Sequence, residues 1–319
     1  MTAGTEGSAG MAGSAGTFRI GGDLEVGRLG FGAMQLPTGP ADARAESVAV
    51  ARRAVELGVT LIDTAHLYGG GANEELLAEA LYPYPEGLLI TTKVGVARSA
   101  ETGEWGLDGR PEVLREQVDH ALRRLRVERI ELLQLHRVDP EVDLAEQLGA
   151  LRELQEAGKV ARLGLSEVTA GELARARELV DVASVQNRYS VGDREHEAVL
   201  RACAAAGIAF LPWRPVLGAL PPAGDADGDG AGNGGGAGNG GAADTGAPEA
   251  PYRVIGAVAR ELGATPVQVA LAWLLAHSPV VLPIPGTAKL GHLQENVAAA
   301  GVRLERAHLD RLDRLSRGA

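Results

Sequence analysis

Four residues with proton-transfer chemistry follow three consecutive apolar segments of the sequence. Asp63 and Tyr68 follow the first segment, Lys93 lies near the end of the second, and His136 ends the third. If these segments are parallel strands, their carboxyl ends meet at one edge, and the four side chains converge there. A carboxylate, an ammonium, a phenol and an imidazole together can form a proton relay.

The relay has a chemical logic that suits carbonyl reduction. A phenol has an ordinary pKa of ~10 and is a weak acid near neutral pH. A nearby ammonium favours the phenolate, so we expect Lys93, held by Asp63, to lower the pKa of Tyr68. His136 can donate a hydrogen bond to a carbonyl oxygen, and Tyr68 can protonate that oxygen as hydride adds to the carbon. Each residue also has a structural alternative, such as a cap, a solvent-reaching lysine or a rim histidine.

The elements that must position these residues alternate between apolar segments and amphipathic helices. Eight segments are predicted to be strands, each followed by a helix: residues 29–36, 59–63, 88–94, 130–136, 160–166, 182–187, 208–213 and 280–286. They are apolar almost throughout, as expected for strands that are covered on both faces. Eight repeated units predict a (β/α)8 TIM barrel, with an open doubly wound sheet as the alternative. The missing G-x-G-x-x-G motif after the first segment disfavours a Rossmann domain.

The domain organisation is predicted from composition. Residues 17–319 are interpreted as one barrel domain that opens with a β-hairpin. Residues 1–16 are rich in Gly, Ala and Ser, which predicts a disordered segment, and they lack the pattern of a secretory signal. Residues 221–251 are rich in Gly and Ala, which predicts a flexible surface loop after the seventh strand, with a flap over a ligand as the alternative.

The charge and the cysteine content limit the classes of partner. The formal net charge is −11, which disfavours nucleic acid and anionic membrane surfaces as partners. Cys203 is the only cysteine and the seven histidines have no ligand spacing, so no metal is predicted. No apolar run reaches the ~18 residues of a membrane span, and a cytoplasmic location is expected. The expected partner is a small carbonyl compound, whereas the oligomeric state cannot be predicted.

A set of motifs resembles, in order, those of the aldo-keto reductase family. They are "RLGFGAMQL", "GVTLIDTAHLYGGGANEELLAEAL", "LLITTKVG", "IELLQLHRVD", "GKVARLGLSE", "SVQNRYS" and "PIPGTAKLGHLQENVAA". The amino-acid sequence of these segments is most similar to that of a bacterial branch of the family, which includes pyridoxal-reductase-like proteins. The resemblance implies a (β/α)8 barrel that binds NADPH without a Rossmann fold. It also implies that Asp63, Tyr68, Lys93 and His136 form the catalytic tetrad, with Tyr68 as the proton donor.

The resemblance further implies residues for the nicotinamide end of the cofactor. Ser166 and Gln186 match positions that hydrogen-bond the nicotinamide amide. Glu167 stands where the family often has Asn, and a carboxylate can accept from the amide NH2 but cannot donate to its oxygen. Trp213 matches an aromatic position that stacks on the nicotinamide, with packing at the barrel mouth as the alternative. Arg214 is expected to contact either the pyrophosphate or the neighbouring loop.

The last motif resembles the element that binds the adenosine phosphate. The residues implied there are Gly286, Thr287, Lys289, His292, Glu295 and Asn296. Gly286 and Thr287 are expected at a helix N-terminus, whose free N–H groups attract phosphate. Lys289 is expected to bind the 2′-phosphate, whereas His292 replaces a frequent arginine. Glu295 and Asn296 match residues that contact adenine, with ordinary polarity of a helix surface as the alternative.

The predicted function is therefore NADPH-dependent reduction of an aldehyde or ketone to an alcohol. The alternative is a regulatory subunit that senses nicotinamide nucleotides with little turnover. A barrel isomerase or metal hydrolase is disfavoured, because the sequence has the tetrad and has no metal-ligand cluster.

Overall fold

The computed structural model describes residues 11–98, 103–216, 219 and 251–316, and a parallel sheet lies at its centre. The strands are β1 (Thr17–Ile20), β2 (Leu24–Gly27), β3 (Phe31–Gly32), β4 (Leu61–Asp63), β5 (Leu89–Val94), β6 (Val96–Arg98), β7 (Trp105–Leu107), β8 (Leu133–Leu135), β9 (Leu163–Ser166), β10 (Val182–Gln186) and β11 (Ala209–Phe210). Seven of them form one sheet in the order β11-β10-β9-β8-β5-β4-β3. Every pairing within this sheet is parallel, as the β-then-α pattern predicts.

Helices follow the strands of this sheet along the chain. They are α1 (Ala41–Glu56), α2 (Ala72–Leu81), α3 (Pro111–Leu125), α4 (Leu144–Glu156), α5 (Ala170–Arg177), α6 (Glu197–Ala206), α7 (Pro251–Leu262), α8 (Pro266–His277), α9 (Leu290–Ala298) and α10 (Arg306–Asp313). Their apolar residues pack on the sheet and form buried clusters with it. This covering explains why the strands read as continuous apolar runs.

Residues 280–286 close the sheet into the predicted barrel. On one side, Leu282 donates its backbone N–H to the carbonyl of Phe210 at 2.8 Å. On the other side, Gly30 donates its N–H to the carbonyl of Pro283 at 2.9 Å. The two prolines of this segment have no N–H to donate, so it makes isolated bridges where the sequence predicts a strand. The predicted (β/α)8 fold is confirmed, and the segment at the eighth strand position, residues 280–286, is irregular.

The N-terminal region differs in part from the prediction. The hairpin is confirmed, because β1 and β2 pair antiparallel. Disorder was expected for residues 1–16, but Met11–Ala15 form a short 3-10 helix. Ala12 is fully buried and donates its N–H to the carbonyl of Leu57 at 3.1 Å. The prediction of disorder is therefore wrong for these residues, because the chain docks on the barrel, whereas residues 1–10 lie outside the described residues.

The hairpin after β5 and the helices α7 and α10 were not predicted from the sequence. After β5, the chain forms the antiparallel hairpin of β6 and β7. Helix α7 precedes α8, which alone was predicted at this point. The predicted flexible loop 221–251 falls on residues 221–250, outside the described residues, and on the first residue of α7. The interpretation of residues 17–319 as one domain stays a prediction.

The described residues include neither a membrane-spanning helix nor a metal-binding cluster. None of the described helices is both long and apolar enough to cross a bilayer. Within the same residues, three or more His, Cys, Asp or Glu side chains never cluster as a metal ion would require.

Candidate active site

The centre of the site is a buried ion pair between neighbouring strands. Asp63 ends β4, and Lys93 lies on the adjacent strand β5. The Lys93 Nζ donates to Asp63 Oδ2 at 2.6 Å and to the backbone carbonyl of Thr64 at 2.8 Å. The lysine is fully buried, and Asp63 is 3% exposed. Burial alone would lower the pKa of Lys93, but the Asp63 carboxylate and Tyr68 raise it above its ordinary value, so the ammonium stays charged.

The other oxygen of the carboxylate accepts hydrogen bonds from two buried glutamines. Gln186 Nε2 donates to Asp63 Oδ1 at 2.8 Å, and Gln134 Nε2 donates to the same atom at 3.3 Å. Because these residues come from β10 and β8, the carboxylate is tied to strands across the sheet. A buried charge is tolerated when it is paired and its remaining lone pairs are satisfied. Asp63 therefore holds Lys93 in one position.

Tyr68 reaches this ion pair from a glycine-rich loop. Its hydroxyl accepts a hydrogen bond from Lys93 Nζ at 3.2 Å. The three residues that follow, Gly69, Gly70 and Gly71, have φ values of 61°, 64° and 96°. Residues with side chains rarely adopt this left-handed region, so the glycines allow the tight turn from the strand end into α2. The sequence signal at this point is therefore conformational as well as chemical.

The pKa of Tyr68 corrects one expectation from the sequence. Lys93 does lower this pKa, as expected, but burial raises it by more, and the Asp63 charge adds to the rise. The net pKa of Tyr68 is above its ordinary value, so the prediction of a net lowering is wrong. The physical reason is that a half-buried phenolate loses more solvation than one lysine restores.

His136 lies beside the phenol and is neutral. The rings of Tyr68 and His136 meet edge to face, with centroids 6.0 Å apart. Burial, Lys93 and Arg137 together lower the pKa of His136 to about 3. Its Nδ1 is buried and has no hydrogen-bond partner among the described residues. A neutral imidazole can offer one N–H to an incoming oxygen.

Two polar residues at the ends of β9 and β10 could hold a nicotinamide amide. Ser166 and Gln186 are adjacent in register and are each 3% exposed. Gln186 uses its amide nitrogen on Asp63, which leaves Oε1 to accept a hydrogen bond. A hydroxyl and an amide oxygen form a donor and acceptor set that fits a carboxamide. The residues present therefore fit the nicotinamide end of NADP(H).

Glu167 is bound by three protein donors. Its Oε1 accepts hydrogen bonds from the Trp213 indole N–H and from the Arg188 backbone N–H, the latter at 2.7 Å. Its Oε2 accepts from Arg137 Nη1 at 3.0 Å. The sequence left the role of this residue open, and the structure shows a carboxylate that orients the indole. Arg214 lies next to that ring, with its guanidinium 5.8 Å from the ring centroid.

The residues of the adenosine motif lie around the start of α9. Thr287 is 5% exposed, and its hydroxyl accepts a hydrogen bond from the Lys289 N–H at 3.1 Å. The helix begins at Leu290, so Gly286 and Thr287 precede its first turn, where the sequence expected them at its N-terminus. The side chains of Lys289 and His292 are exposed, where an anion can reach them. Glu295 is half-buried, and Asn296 is 6% exposed.

Two residues that touch the site were not singled out from the sequence. Gln134 lies within an apolar strand and bonds Asp63, and a polar residue inside a buried segment was the available signal. Arg137 directly follows His136, and its role depends on Glu167, 30 residues away. Such pairings depend on the closed barrel, and strand periodicity alone does not indicate them.

Comparison with known proteins places this geometry in a family. Residues 28–317 match the profile of the aldo/keto reductase family. The chain is 40% identical to an uncharacterized oxidoreductase of Schizosaccharomyces pombe, over 95% of this chain and 90% of the other. It is 36% identical to pyridoxine 4-dehydrogenase of Escherichia coli, over 94% of this chain and 98% of the other.

A solved structure is similar in fold as well as in sequence. An aldo/keto reductase of Klebsiella pneumoniae, crystallised with NADP and acetate, superposes with a TM-score of 0.74 at 25% identity, over 94% of each chain. The family is one of oxidoreductases, and the solved structure of this member from Klebsiella pneumoniae is a complex with NADP. The resemblance expected from the sequence motifs is confirmed: this chain belongs to the aldo/keto reductase family.

Proposed function

We propose that this chain reduces an aldehyde or ketone to an alcohol with NADPH, and that Tyr68 donates the proton. The observation that carries the proposal is the 3.2 Å contact between the phenol and the ammonium of Lys93, which Asp63 holds in place. The bound cofactor would supply hydride to the carbonyl carbon. The four residues expected from the sequence would supply the proton and stabilise the charge that develops on the oxygen.

The raised pKa of Tyr68 is compatible with this role. A phenol whose pKa lies above its ordinary value is protonated at neutral pH and holds a proton to give. An alkoxide is a much stronger base than a phenolate, so transfer to the developing alkoxide remains downhill. The adjacent ammonium of Lys93 then stabilises the phenolate that is left, until solvent returns the proton. The neutral His136 can donate its N–H to the same oxygen and fix its approach.

The binding residues are proposed from their positions. Ser166 and Gln186 would bind the carboxamide, and Trp213 would offer its ring to the nicotinamide face. Glu167 would act through Trp213, since its carboxylate is already occupied by protein donors. Arg214 would contact the pyrophosphate, and Lys289 would bind the 2′-phosphate. The remaining adenosine contacts would come from Gly286, Thr287, His292, Glu295 and Asn296.

The relatives suggest where to begin the search for a substrate. One relative is named pyridoxine 4-dehydrogenase. Oxidation of the alcohol carbon attached at position 4 of pyridoxine gives the aldehyde pyridoxal. Pyridoxal is therefore the first substrate to test. The proteins compared above include named oxidoreductases, and no observation favours the nucleotide-sensing alternative. A small-molecule carbonyl partner and a cytoplasmic location stay predictions.

A panel of carbonyl compounds, with NADPH and NADH each as the reductant, tests the proposal. The panel includes pyridoxal and a simple aromatic aldehyde, and the loss of absorbance of the reduced nucleotide is followed. We expect turnover with NADPH, accompanied by formation of the corresponding alcohol. Tight binding of NADPH without reduction of any compound in the panel would contradict the proposal and favour the regulatory alternative.

A further inference from the structure

Arg137 places a positive charge at the side of the proposed carbonyl site. It directly follows His136 at the end of β8, and its side chain is 43% exposed. Its charge lowers the pKa of His136 and also acts to lower that of Tyr68. Its hydrogen bond to Glu167, which also accepts from the Trp213 indole N–H, places the guanidinium beside the residues at the ends of the strands, and Arg137 directly follows His136 in the chain. None of the steps proposed above uses it.

Glu167 binds one terminal nitrogen of this guanidinium. Among the described residues, the guanidinium makes one hydrogen bond, from Arg137 Nη1 to Glu167 Oε2 at 3.0 Å. A guanidinium has five N–H donors in a planar fork, so other donors remain for a ligand. The Glu167 charge is shared with the Trp213 indole N–H and the Arg188 N–H, which leaves it less able to cancel that of Arg137.

The conformation of Glu167 indicates a functional constraint. Its φ is 55°, in the left-handed region that a glutamate rarely occupies. Such conformations persist where the surroundings impose them, and they concentrate at functional sites. Here the three hydrogen bonds to the carboxylate hold it. The result is a fixed arginine at the barrel mouth.

Arg188, which donates its backbone N–H to Glu167, already has acidic partners for its own guanidinium. Arg188 pairs with Asp193 at 2.7 Å and with Glu195 at 2.9 Å. The chain as a whole has a net charge of −11 and repels anions in general. An anionic substrate therefore needs a local cation, and Arg137 is half-exposed beside the tetrad.

We propose that Arg137 is a specificity-determining residue that binds a carboxylate group on the carbonyl substrate. The preferred substrates are then aldehydes or ketones that carry a carboxylate within reach of the barrel mouth. The planar fork matches a carboxylate and can bind it through two parallel hydrogen bonds. Glu167 is the positioning residue that holds the fork. This inference rests on the proposed function and names the substrate class of the same site.

The test compares two aldehydes that differ in charge and are otherwise closely matched. 4-Carboxybenzaldehyde and methyl 4-formylbenzoate are reduced with NADPH by the wild-type chain and by Arg137→Gln. We expect the wild type to prefer the carboxylate in kcat/KM, and the substitution to reduce that preference about 10- to 100-fold. The readout is the ratio of the two kcat/KM values within each variant, so a general change in rate cancels, and thermal unfolding shows that the variant is folded. Arg137→Lys should retain part of the preference, because it keeps the charge and loses the fork.

Arg129→Gln is the matched control. Arg129 precedes β8 at the other end of that strand, and it is paired with Glu131 on the surface. This substitution removes one positive charge, as Arg137→Gln does, but at the opposite end of the strand. It should therefore leave the preference for the carboxylate intact. Equal reduction of both aldehydes by the wild type would overturn the inference alone, as would an unchanged preference in Arg137→Gln. If the wild type reduces neither aldehyde nor any compound of the wider panel, the proposed function fails first.

Discussion

Two tyrosines of this barrel have opposite electrostatic partners. Tyr68 lies at the mouth and accepts a hydrogen bond from Lys93. Tyr189 is fully buried in the wall, where it donates to Glu197 at 2.5 Å and meets His277 at 3.0 Å. Burial raises the pKa of both phenols. Lys93 opposes this rise at Tyr68, whereas Glu197 adds to it at Tyr189.

The comparison separates a structural phenol, Tyr189, from the phenol that we propose as the proton donor, Tyr68. Tyr189 also packs against the rings of Phe210 and Trp273, so it joins β11 to α8. After proton loss, its phenolate would face a carboxylate, which repels it. The phenolate of Tyr68 would face an ammonium, which stabilises it. The difference therefore lies in the partner and in the access to the mouth, and much less in burial.

Removing the ammonium should produce the largest effect. Lys93→Met leaves Asp63 as an uncompensated buried charge, which costs about 3–5 kcal/mol in the free energy of unfolding. The rate of carbonyl reduction should fall about 10²–10⁴-fold, because the phenol loses its stabilising cation. Denaturant unfolding and steady-state assays measure the two effects.

Lys159→Met is the matched control for this prediction. Lys159 also lies 2.6 Å from a carboxylate, that of Asp119, but both side chains are 41% exposed. Exposed pairs contribute about 0–1 kcal/mol, so this variant should be nearly as stable and as active as the wild type. Similar losses in the two variants would show that burial of the Lys93 pair is not what matters.

The exposed end of the site should respond more weakly than the buried centre. Lys289 is exposed at the start of α9, so its substitution leaves no buried charge behind. Lys289→Ala should raise KM for NADPH about tenfold, the value of one charge-assisted hydrogen bond, with little effect on KM for NADH. Initial rates with both nucleotides measure this, and equal effects on the two would show that Lys289 does not bind the 2′-phosphate.

A pH effect on stability should be the smallest of the three. Burial, Arg124 and His120 lower the pKa of His66, in the loop between Asp63 and Tyr68, to about 4. The unfolded chain then binds more protons than the folded chain between pH 6.5 and about 4. The free energy of unfolding should therefore fall as the pH drops through this window, by on the order of 1 kcal/mol for this histidine at pH 5.

His66→Gln checks the source of this pH effect. Glutamine can still accept the hydrogen bond that Arg124 gives to His66 Nδ1 at 3.1 Å. The variant should lose less stability than the wild type between pH 7 and pH 5, as measured by denaturant unfolding. An identical loss in both chains would assign the effect to other groups.

The barrel and the meeting of the tetrad could be predicted from the sequence for a local reason. Each strand is marked by its own apolar run. In a parallel barrel the carboxyl ends of the strands lie at one face, and this does not depend on the sequences of the loops. Asp63 and Lys93 needed no further information to be placed side by side. The eighth strand position, residues 280–286, could be recognised as an apolar segment, although its prolines prevent a regular ladder of backbone hydrogen bonds.

What could not be predicted depends on burial and on contacts between distant parts of the chain. The net direction of the Tyr68 pKa follows from how much solvent the folded loop excludes, which its neighbours in sequence do not reveal. The hydrogen bond from Gln186 to Asp63 spans 123 positions, and the contacts of Glu167 need three separate segments. Helix α7 was missed because it directly follows the glycine-rich region.

The central claim is that Tyr68, and not simply a buried phenol, gives the proton. Single-turnover reduction of an aromatic aldehyde by NADPH tests it in Tyr68→Phe and Tyr189→Phe, with NADPH affinity measured in parallel by fluorescence. We predict that Tyr68→Phe slows the step at least about 10²-fold with little change in NADPH affinity, while Tyr189→Phe reacts at nearly the wild-type rate. A wild-type rate in Tyr68→Phe would contradict the account.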